Sequence, residues 1–444
     1  DSAPGARPRD IVLVVWDTCR GDRVSAHGYP FPTTPRLAAF AADAVSFPRC
    51  SSPAPWTPPA HASLFTGLLP RDHGMTEGVG DRVRHGIPLL PATLREAGYE
   101  TVAVSANPLV SPVTGLSAGF ERFVPCFRED QHGQGEEVRE AVAAWIRERP
   151  APGGGRRPFL LFVNLMDSHL PYAFEDADVE GMHGAGSAEK ARIVAGMVGD
   201  RQAMMRLLGG IGLQEGVAHS LGLAYDGAVR RLDRATGGIL DDLRGAGLLE
   251  GAVVVVTGDH GEGLGEHGEV NHGFSVHEPM LHVPLVIRWP GRFEGGRVVE
   301  DSVRLQDLYP TLLEAAGVPV PAGCGKAAEP LRPEPSGHRI ALSEFGPMDR
   351  SRPNAERTMP EVPLEVFRKF HWRFRGARDD GGPAGPRKWI SVVDTRSGGG
   401  TQLREELYDL RADPGETRNL LGPGARPEDV AEAARLRARW EAGR

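Results

Sequence analysis

Five short runs of apolar residues along the chain have the pattern of buried β-strands. Each run is four to seven residues long, is rich in β-branched or aromatic side chains, and lacks polar alternation. Strands with that pattern are buried on both faces, as in a parallel sheet covered by helices. The predicted strands are Ile11–Trp16, 101–104, Phe159–Leu165, 253–257 and 283–289.

Between these runs, apolar residues recur at helical spacing. The segments with that spacing are 35–44, 90–97, 136–147 and 224–244. Strands that alternate with helices predict an α/β fold, in which a doubly wound, mostly parallel sheet is flanked by helices.

The alternation of strands and helices is interrupted twice. A Gly- and Met-rich segment at about 175–220 has a weak helical pattern and predicts a helical insertion. It is either a surface embellishment or a substrate lid, since lids are often such insertions. Beyond residue 345, polar stretches flank strand-like runs at 389–393 and 406–410, followed by a predicted helix at 427–440. We therefore predict a catalytic α/β domain at 1–345 and a small α+β subdomain at 346–444.

Composition excludes some classes of partner. The chain of 444 residues has a formal net charge of −8 with both signs mixed along it, whereas a nucleic-acid binder usually carries a basic stripe. It has no run of 18 apolar residues, so we predict no membrane span. Its four cysteines are widely spaced and form no CxxC pair, which favours a reducing compartment. We expect the cytoplasm, although removal of a signal peptide ahead of residue 1 would leave the same sequence.

Polar residues directly follow four of the predicted strands. These residues are Asp17, Asn107, Asp167, His169, Asp259, His260 and Glu262. In an open parallel sheet, ligands bind beyond the carboxyl ends of the strands. A single Asp after a strand is usually an ordinary loop residue, but four strand ends that each carry Asp, Asn or His indicate a shared site.

Three of these residues have the chemistry of a metal site. Asp17, Asp259 and His260 would supply two oxygens and one nitrogen from two strand ends, a set that suits Zn, Mn, Mg or Ca. We expect Gly258 and Gly261 to permit the sharp bend that lets adjacent Asp and His both bind. The following Gly-rich loop, which contains His272, could fold back over the same site.

Thr57 is the candidate nucleophile. It lies in a Pro-rich turn that leads into a helix predicted to start near Ala60. Backbone N–H groups at a helix N-terminus favour an anion, and a hydroxyl activated by a metal can attack phosphorus. The alternative is that Thr57 only caps the helix.

Three segments resemble the sulfatase-like family of the alkaline phosphatase superfamily. They are VVWDTCRGDRVSAHGYPFPTTPRLAAFA (14–41), PAPWTPPAHASLFTGLLPRDHG (53–74) and GDHGEGLGEHGEVNHG (258–273). Weaker matches follow at 167–172, 307–317 and 406–420, so the resemblance spans nearly the whole chain in order. It implies a sulfatase-like α/β domain with a small C-terminal sheet domain, and one divalent metal bound by Asp17, Thr57, Asp259 and His260.

The chain departs from true sulfatases at the nucleophile. Those enzymes have a Cys-x-Pro-x-Arg signature and oxidise the Cys to formylglycine, whose hydrate expels sulfate. This chain has Thr57 and His61 at the Cys and Arg positions. A sulfated threonine lacks that exit, whereas a phosphorylated threonine can be hydrolysed at phosphorus. The resemblance is therefore to the phosphodiesterase and phosphoethanolamine-transferase branches, which use threonine.

A second departure concerns the metal. The Asp-Asp pair common in sulfatases is Asp17-Thr18 here, which removes one carboxylate. This implies Zn or Mn rather than Ca or Mg, with a second ion left open. By resemblance to the transferase branch, His169 and His272 bind a second metal or the substrate phosphate.

We predict a hydrolase of a small anionic phosphoryl-type ester: a phosphodiester, a phosphonate ester or a phosphomonoester. The catalytic residues are Thr57, His61, His169 and His272, and the substrate-binding residues are Asn107, His169 and His272. Whether these histidines act as general acids or as ligands of a second ion stays open, as does homo-oligomer formation. The alternatives are a phosphoryl or phosphoethanolamine transferase, a sulfate ester hydrolase without formylglycine, and a non-catalytic binding protein.

Further residues near these motifs are predicted to have supporting roles. Glu262 is expected to lie behind the metal ligands, and Cys19 is expected to pack rather than react. The remaining histidines of the motif regions are expected to be structural or peripheral: His73, His219, His267, His277 and His282.

Overall fold

An eight-stranded sheet lies at the centre of a computed structural model that describes residues 9–76, 80–127, 134–149, 156–200, 203, 207, 213–334, 337–347, 364–396 and 400–443. In spatial order its strands are Arg297–Val298, Val45–Ser46, Leu285–Arg288, Val253–Gly258, Ile11–Trp16, Phe159–Leu165, Glu100–Ser105 and Arg122–Pro125. The last five of these are parallel to one another.

The central strand Ile11–Trp16 shows why a continuous apolar run is needed. Side chains alternate across a strand, so each face of the sheet receives every second residue. Val12, Val14 and Trp16 belong to one apolar core, and Ile11, Leu13 and Val15 belong to the other. Both faces are therefore buried, as the sequence pattern predicts.

Helices cover the two faces. One face packs against Pro35–Ala41, Gly135–Glu148 and Glu215–Gly245, and the other against Thr57–Thr66, Leu90–Glu96 and Leu308–Ala316. Shorter helices are Pro70–His73 and Glu278–Leu281. The predicted doubly wound, mostly parallel α/β fold is confirmed. Within the described residues, no helix combines the length and apolar character needed to cross a membrane.

The prediction of one strand at 283–289 is wrong. His282–Val283 pairs with Cys50–Ser51 in a separate three-stranded sheet that also contains Val303–Arg304. Leu285–Arg288 joins the central sheet antiparallel to both of its neighbours. Pro284 separates the two pieces, and proline cannot donate to a sheet ladder. The antiparallel direction was not predictable from burial, because burial on both faces does not depend on strand direction.

The predicted insertion contains the helices Asp176–His183 and Ser187–Gly199. Both pack against the long helix Glu215–Gly245, which begins inside the predicted insertion. Most of residues 201–212 lie outside the described residues. A lid or surface role for this segment stays a prediction.

The C-terminal part contains a second, antiparallel sheet. Its strands, in order, are Ala341–Phe345, Trp372–Asp379, Arg387–Asp394 and Thr401–Asp409. The helix Pro427–Ala442 packs Leu436 and Trp440 into an apolar core with this sheet. The sheet begins before the predicted boundary at 345/346, since Ala341–Phe345 pairs with Trp372–Asp379. The exact domain bounds stay a prediction.

Candidate active site and metal centre

The ends of the two central strands bring the predicted metal ligands together. Trp16 and Gly258 are paired in the parallel register, so Asp17 and Asp259, one residue further along each strand, are neighbours. The N–H of Asp259 donates to the Trp16 carbonyl at 3.3 Å. Asp17, Asp259 and His260 each offer a ligand atom, and these atoms all lie within 4.8 Å of one another.

The chemistry of this cluster fits a divalent cation. All three side chains are fully buried. Asp17 Oδ1 and Asp259 Oδ2 have no hydrogen-bond partner, although buried carboxylate oxygens normally have one. The two unpaired oxygens and the nearby imidazole form an O/O/N donor set of the kind that Zn or Mn accepts.

The carboxyl groups lack a compensating charge from the protein. Burial raises the pKa of Asp17 to about 7, even though the hydrogen bond from Asn107 opposes the rise. Burial, followed by the charge of Asp17, raises the pKa of Asp259 well above its usual range. Two like charges in a buried site disfavour ionisation, so a bound cation would stabilise both carboxylates.

His260 is oriented for coordination. Its Nδ1 lies 3.0 Å from the Gly261 carbonyl, which can only accept, so Nδ1 carries the proton. The lone pair of Nε2 therefore faces the cluster, 3.4 Å from Asp259 Oδ2. This is the arrangement in which a neutral histidine binds a metal.

Thr57 lies against the same cluster. Its Oγ1 is 3.2 Å from His260 Nε2 and 3.4 Å from Asp17 Oδ2. Thr57 is the first residue of the helix Thr57–Thr66, while Trp56 is the N-cap residue. The alternative that Thr57 is only the cap of this helix is therefore wrong, and its hydroxyl contacts metal-binding groups instead.

The N-terminus of this helix offers an anion fewer backbone N–H groups than the sequence position of Thr57 predicts. Pro58 and Pro59 occupy the first turn, and proline has no N–H to donate. Hydrogen bonds to a bound anion must therefore come mainly from side chains around the site.

Asn107 is one of those side chains. Its Nδ2 donates to Asp17 Oδ2 at 2.6 Å and lies 3.5 Å from Thr57 Oγ1. Its Oδ1 accepts from the N–H of Leu109 at 2.7 Å, which fixes the amide orientation. The NH₂ group thus faces the nucleophile.

His61 lies one helical turn after Thr57. Its Nδ1 is 3.0 Å from the Thr57 carbonyl and 3.4 Å from Asp259 Oδ2. The ring is fully buried and packs edge-on against Phe65 and Phe162. Burial lowers the pKa of His61 to about 4. His61 is placed beneath the metal ligands, and its predicted catalytic role remains a prediction.

His272 and His169 approach from the other side of the site. The His272 ring centroid is 4.7 Å from that of His260 and 5.1 Å from that of His169. Nδ1 of His272 lies 3.1 Å from Glu262 Oε1. The loop after His260 therefore folds back over the site, as the sequence suggested, and Glu262 contacts His272 rather than a metal ligand.

Two backbone positions explain how adjacent Asp259 and His260 share one site. Neither Gly258 nor Gly261 has a positive φ, so the expected use of glycine for a sharp bend is wrong. Instead, a Cβ on Gly261 would lie 1.9 Å from the Pro279 carbonyl oxygen. Thr18 does have a positive φ, 55°, and its N–H donates to Asp259 Oδ1 at 3.1 Å. A β-branched residue in that conformation is a mark of local strain at functional sites.

The residues predicted to be peripheral have partners elsewhere. His73 lies 3.0 Å from Ser63 Oγ, and His282 lies 2.6 Å from the Pro48 carbonyl. His267 stacks on His277 with ring centroids 3.8 Å apart. His219 is exposed. Cys19 is a buried free thiol, and burial raises its pKa well above the usual range.

Arg20 and Tyr225 are supporting residues that sequence reasoning missed. The buried Arg20 guanidinium donates to the Glu262 carbonyl and to Glu266 Oε1, at 3.1 and 2.8 Å. The Tyr225 hydroxyl accepts from the Arg20 N–H and donates to the Thr18 carbonyl. Arg20 lies within the first motif, whereas Tyr225 lies in a helix with no motif around it.

A doubly wound sheet that brings a hydroxyl, two carboxylates and a histidine together is the arrangement that the resemblance to sulfatase-like enzymes of the alkaline phosphatase superfamily implies. The family model described as Sulfatase matches residues 9–318. The chain belongs to the sulfatase family and is a hydrolase of that family.

Individual relatives agree with that assignment. The chain is 28% identical to arylsulfatase A of Homo sapiens, over 95% of this chain and 86% of that protein. The solved structure of the phosphonate monoester hydrolase of Agrobacterium radiobacter matches with a TM-score of 0.70 and 20% identity, over 98% of this chain and 95% of that chain. A structure solved with its substrate D-glucosamine-2-N,6-O-disulfate matches with a TM-score of 0.69 and 18% identity, over 98% and 97% of the two chains. At these identities the two structures establish the fold alone.

Proposed function

We propose that this protein is a metal-dependent hydrolase of a phosphoryl-type ester and that Thr57 forms a covalent intermediate. The main observation that supports this proposal is the position of Thr57 Oγ1, which lies 3.2 Å from His260 Nε2 and 3.4 Å from Asp17 Oδ2. Both neighbouring atoms accept hydrogen bonds, so the hydroxyl proton points toward groups that can draw it away.

Asp17, Asp259, His260 and Thr57 Oγ1 would hold one divalent ion, Zn or Mn by the chemistry of the donors. When bound, such an ion lowers the pKa of the hydroxyl and offsets charge on the ester oxygens. A second ion at His169 and His272 is the alternative, because the His272 ring contacts both His169 and His260.

The proposed reaction has two displacements at phosphorus. Thr57 Oγ1 forms a bond to phosphorus as the bond to the leaving oxygen breaks, in line. Asn107, His169 and His272 would bind phosphoryl oxygens or give a proton to the leaving oxygen. Water then forms a bond to phosphorus, the Thr57 ester bond breaks, and the hydroxyl is regenerated.

The nucleophile type supports a phosphoryl ester over a sulfate ester. A threonine sulfate has no aldehyde hydrate through which to expel sulfate, whereas a threonine phosphate can be hydrolysed at phosphorus. The likeness in fold to a phosphonate monoester hydrolase is compatible with this choice. The sulfate ester hydrolase stays the second candidate, because arylsulfatase A matches most of the chain.

A transferase and a non-catalytic binding protein are less well supported. A transferase would pass the phosphoryl group to an acceptor other than water. A non-catalytic binding protein would have no need to keep a hydroxyl against a candidate metal cluster.

The test is a set of three esters of one phenol: a phosphate diester, a phosphate monoester and a sulfate ester. We expect kcat/KM with added Mn²⁺ or Zn²⁺ to be highest for a phosphate ester, and rapid acid quenching followed by mass spectrometry to find phosphate on Thr57. Faster turnover of the sulfate ester, without modification of Thr57, would contradict the proposal. No turnover with any ester and no bound metal would favour a non-catalytic binding protein.

A further inference from the structure

The loop that joins His260 to His272 continues to a short helical turn, Glu278–Leu281, which contacts the C-terminal sheet. Glu278 accepts from Lys388 Nζ at 2.8 Å and also pairs with Arg378. Its backbone N–H donates to Glu416 Oε2 at 2.6 Å, and Lys388 Nζ lies 3.1 Å from Glu416 Oε1. Lys388 is almost completely buried, so this ion-pair group, the anchor, is shielded from water.

The same helical turn is bonded directly to the backbone beside the metal ligands. The N–H of Gly261 donates to the Met280 carbonyl at 2.8 Å, and the N–H of Glu262 donates to the Pro279 carbonyl at 3.0 Å. The fit is close, because even a methyl group on Gly261 would overlap the Pro279 carbonyl oxygen. A movement of the turn must therefore move residues 261 and 262.

Gly261 and Glu262 in turn contact His260 and His272, respectively. The Gly261 carbonyl accepts the proton of His260 Nδ1 at 3.0 Å, and Glu262 Oε1 lies 3.1 Å from His272 Nδ1. A continuous series of contacts thus links the C-terminal sheet, through the anchor and the helical turn, to the candidate metal ligand His260 and the candidate catalytic residue His272.

We infer that Lys388 is a positioning residue: through Glu278 it uses the C-terminal sheet to set the geometry of His260 and His272. This inference rests on the proposed function only for the identity of the site as a metal centre. Loss of a direct hydrogen-bond partner of a metal-binding histidine typically costs about 10–100-fold in metal affinity. The Gly261 carbonyl is that partner for His260, and loss of Lys388 is expected to displace it.

The test compares Lys388→Met with Arg387→Met in the full chain. Arg387 is the preceding residue on the same strand, is similarly buried, and pairs with Asp409 at 2.8 Å inside the C-terminal sheet. Mn²⁺ affinity of each metal-free protein is measured by calorimetry, together with its unfolding temperature. We expect Lys388→Met to weaken Mn²⁺ binding about tenfold or more, and Arg387→Met to change it by less than about threefold.

The double variant Lys388→Met/Glu278→Gln separates positioning from simple loss of stability. It removes one of the two carboxylates that lose their Lys388 partner in Lys388→Met, so unfolding temperature should partly recover, while Mn²⁺ affinity should stay low because the link to the sheet is still broken. Recovery of both quantities, or equal Mn²⁺ affinities for Lys388→Met and Arg387→Met, would overturn the inference. If Lys388→Met does not fold, the Mn²⁺ affinity of the double variant is compared with that of Arg387→Met instead.

The outcome is distinguishable from failure of the proposed function. Wild-type protein that binds Mn²⁺ but hydrolyses no phosphate ester would refute the proposed reaction and leave the affinity comparison valid. Wild-type protein that binds neither Mn²⁺ nor Zn²⁺ would overturn both.

Discussion

Two pairs of carboxyl groups differ in whether the chain provides a positive charge for them: Glu278 and Glu416 in the anchor, and Asp17 and Asp259 at the candidate metal site. In the anchor, burial alone would raise the pKa of Glu278, but the charges of Arg378 and Lys388 lower it to about 2. Glu278 is therefore ionised and paired at neutral pH. In the metal pair, Asp17 and Asp259, no Arg or Lys makes an ion pair among the described residues, and burial raises both pKa values.

The two pairs differ in the source of the positive charge that compensates their carboxylates. A buried carboxylate is costly unless a cation accompanies it. The chain supplies that cation to the anchor from its own C-terminal sheet and supplies none to the metal pair. Under the proposed function, a divalent ion from solution would provide it there.

The largest expected effect concerns the nucleophile that the metal pair serves. Thr57→Ala should fold, yet lower turnover by at least about 10³-fold, because the attacking oxygen is lost. Thr57→Ser keeps that oxygen and should retain most of the turnover. Steady-state kinetics with a phenyl phosphate ester, beside circular dichroism, measure both variants. Near wild-type rates for Thr57→Ala would make the nucleophile assignment wrong.

Removing one carboxylate from each pair should change stability in opposite directions. Asp259→Asn removes an uncompensated buried acid, so the metal-free protein should be as stable as wild type or more stable, while Mn²⁺ affinity falls steeply. Glu278→Gln weakens a compensated pair and should cost about 1–3 kcal/mol. Denaturant unfolding without metal tests this. The same sign for both variants would show that the two pairs do not differ as described.

The two pairs should also differ in how their contributions to the free energy of unfolding depend on pH. The folded-state pKa of Asp17, about 7, exceeds its ordinary value of 3.8, so the metal-free folded state holds this proton more tightly than the unfolded state does. The contribution of Asp17 to the free energy of unfolding should therefore fall as pH rises from 3.8 to about 7.

Saturating Mn²⁺ should remove that decline, because the ion replaces the proton, and Mn²⁺ affinity should rise through the same pH window. Glu278 has the opposite sign: its stabilisation is present above 4.5 and is lost as pH falls toward about 2. Thermal unfolding against pH, with and without Mn²⁺, measures both. Buried histidines such as His61 change stability in the opposite direction in this window, so the profile is compared with that of Asp17→Asn. Identical profiles for the two metal-free proteins between about pH 5 and about pH 7 would contradict the assignment for Asp17.

The smallest effect is expected for Cys19, which lies beside the metal pair without taking part in it. Cys19→Ala should leave kcat/KM within about twofold and cost about 1 kcal/mol of unfolding free energy, because it removes only a buried packing atom. Kinetics and denaturant unfolding of this variant give both numbers. A large loss of turnover with unchanged stability would give the thiol a catalytic role.

The sequence by itself determined the sheet class and the residues of the metal cluster. Apolar runs without polar alternation require cover on both faces, and in a parallel sheet the strand ends must meet at one edge. Strand direction and side-chain period were therefore enough to predict that Asp17, Asn107 and Asp259 lie together. The family motifs added Thr57 and His272.

Only the tertiary structure decided the remaining features, because they arise from contacts between distant segments. The split at Pro284, the supporting role of Tyr225 and the Lys388–Glu278 pair have no local signature in the chain. Lys388 and Glu278 are 110 residues apart, and whether a buried charge has a partner depends on what folding places beside it. Sequence periodicity fixes which face of an element is buried, whereas the packing of whole elements fixes which charges meet.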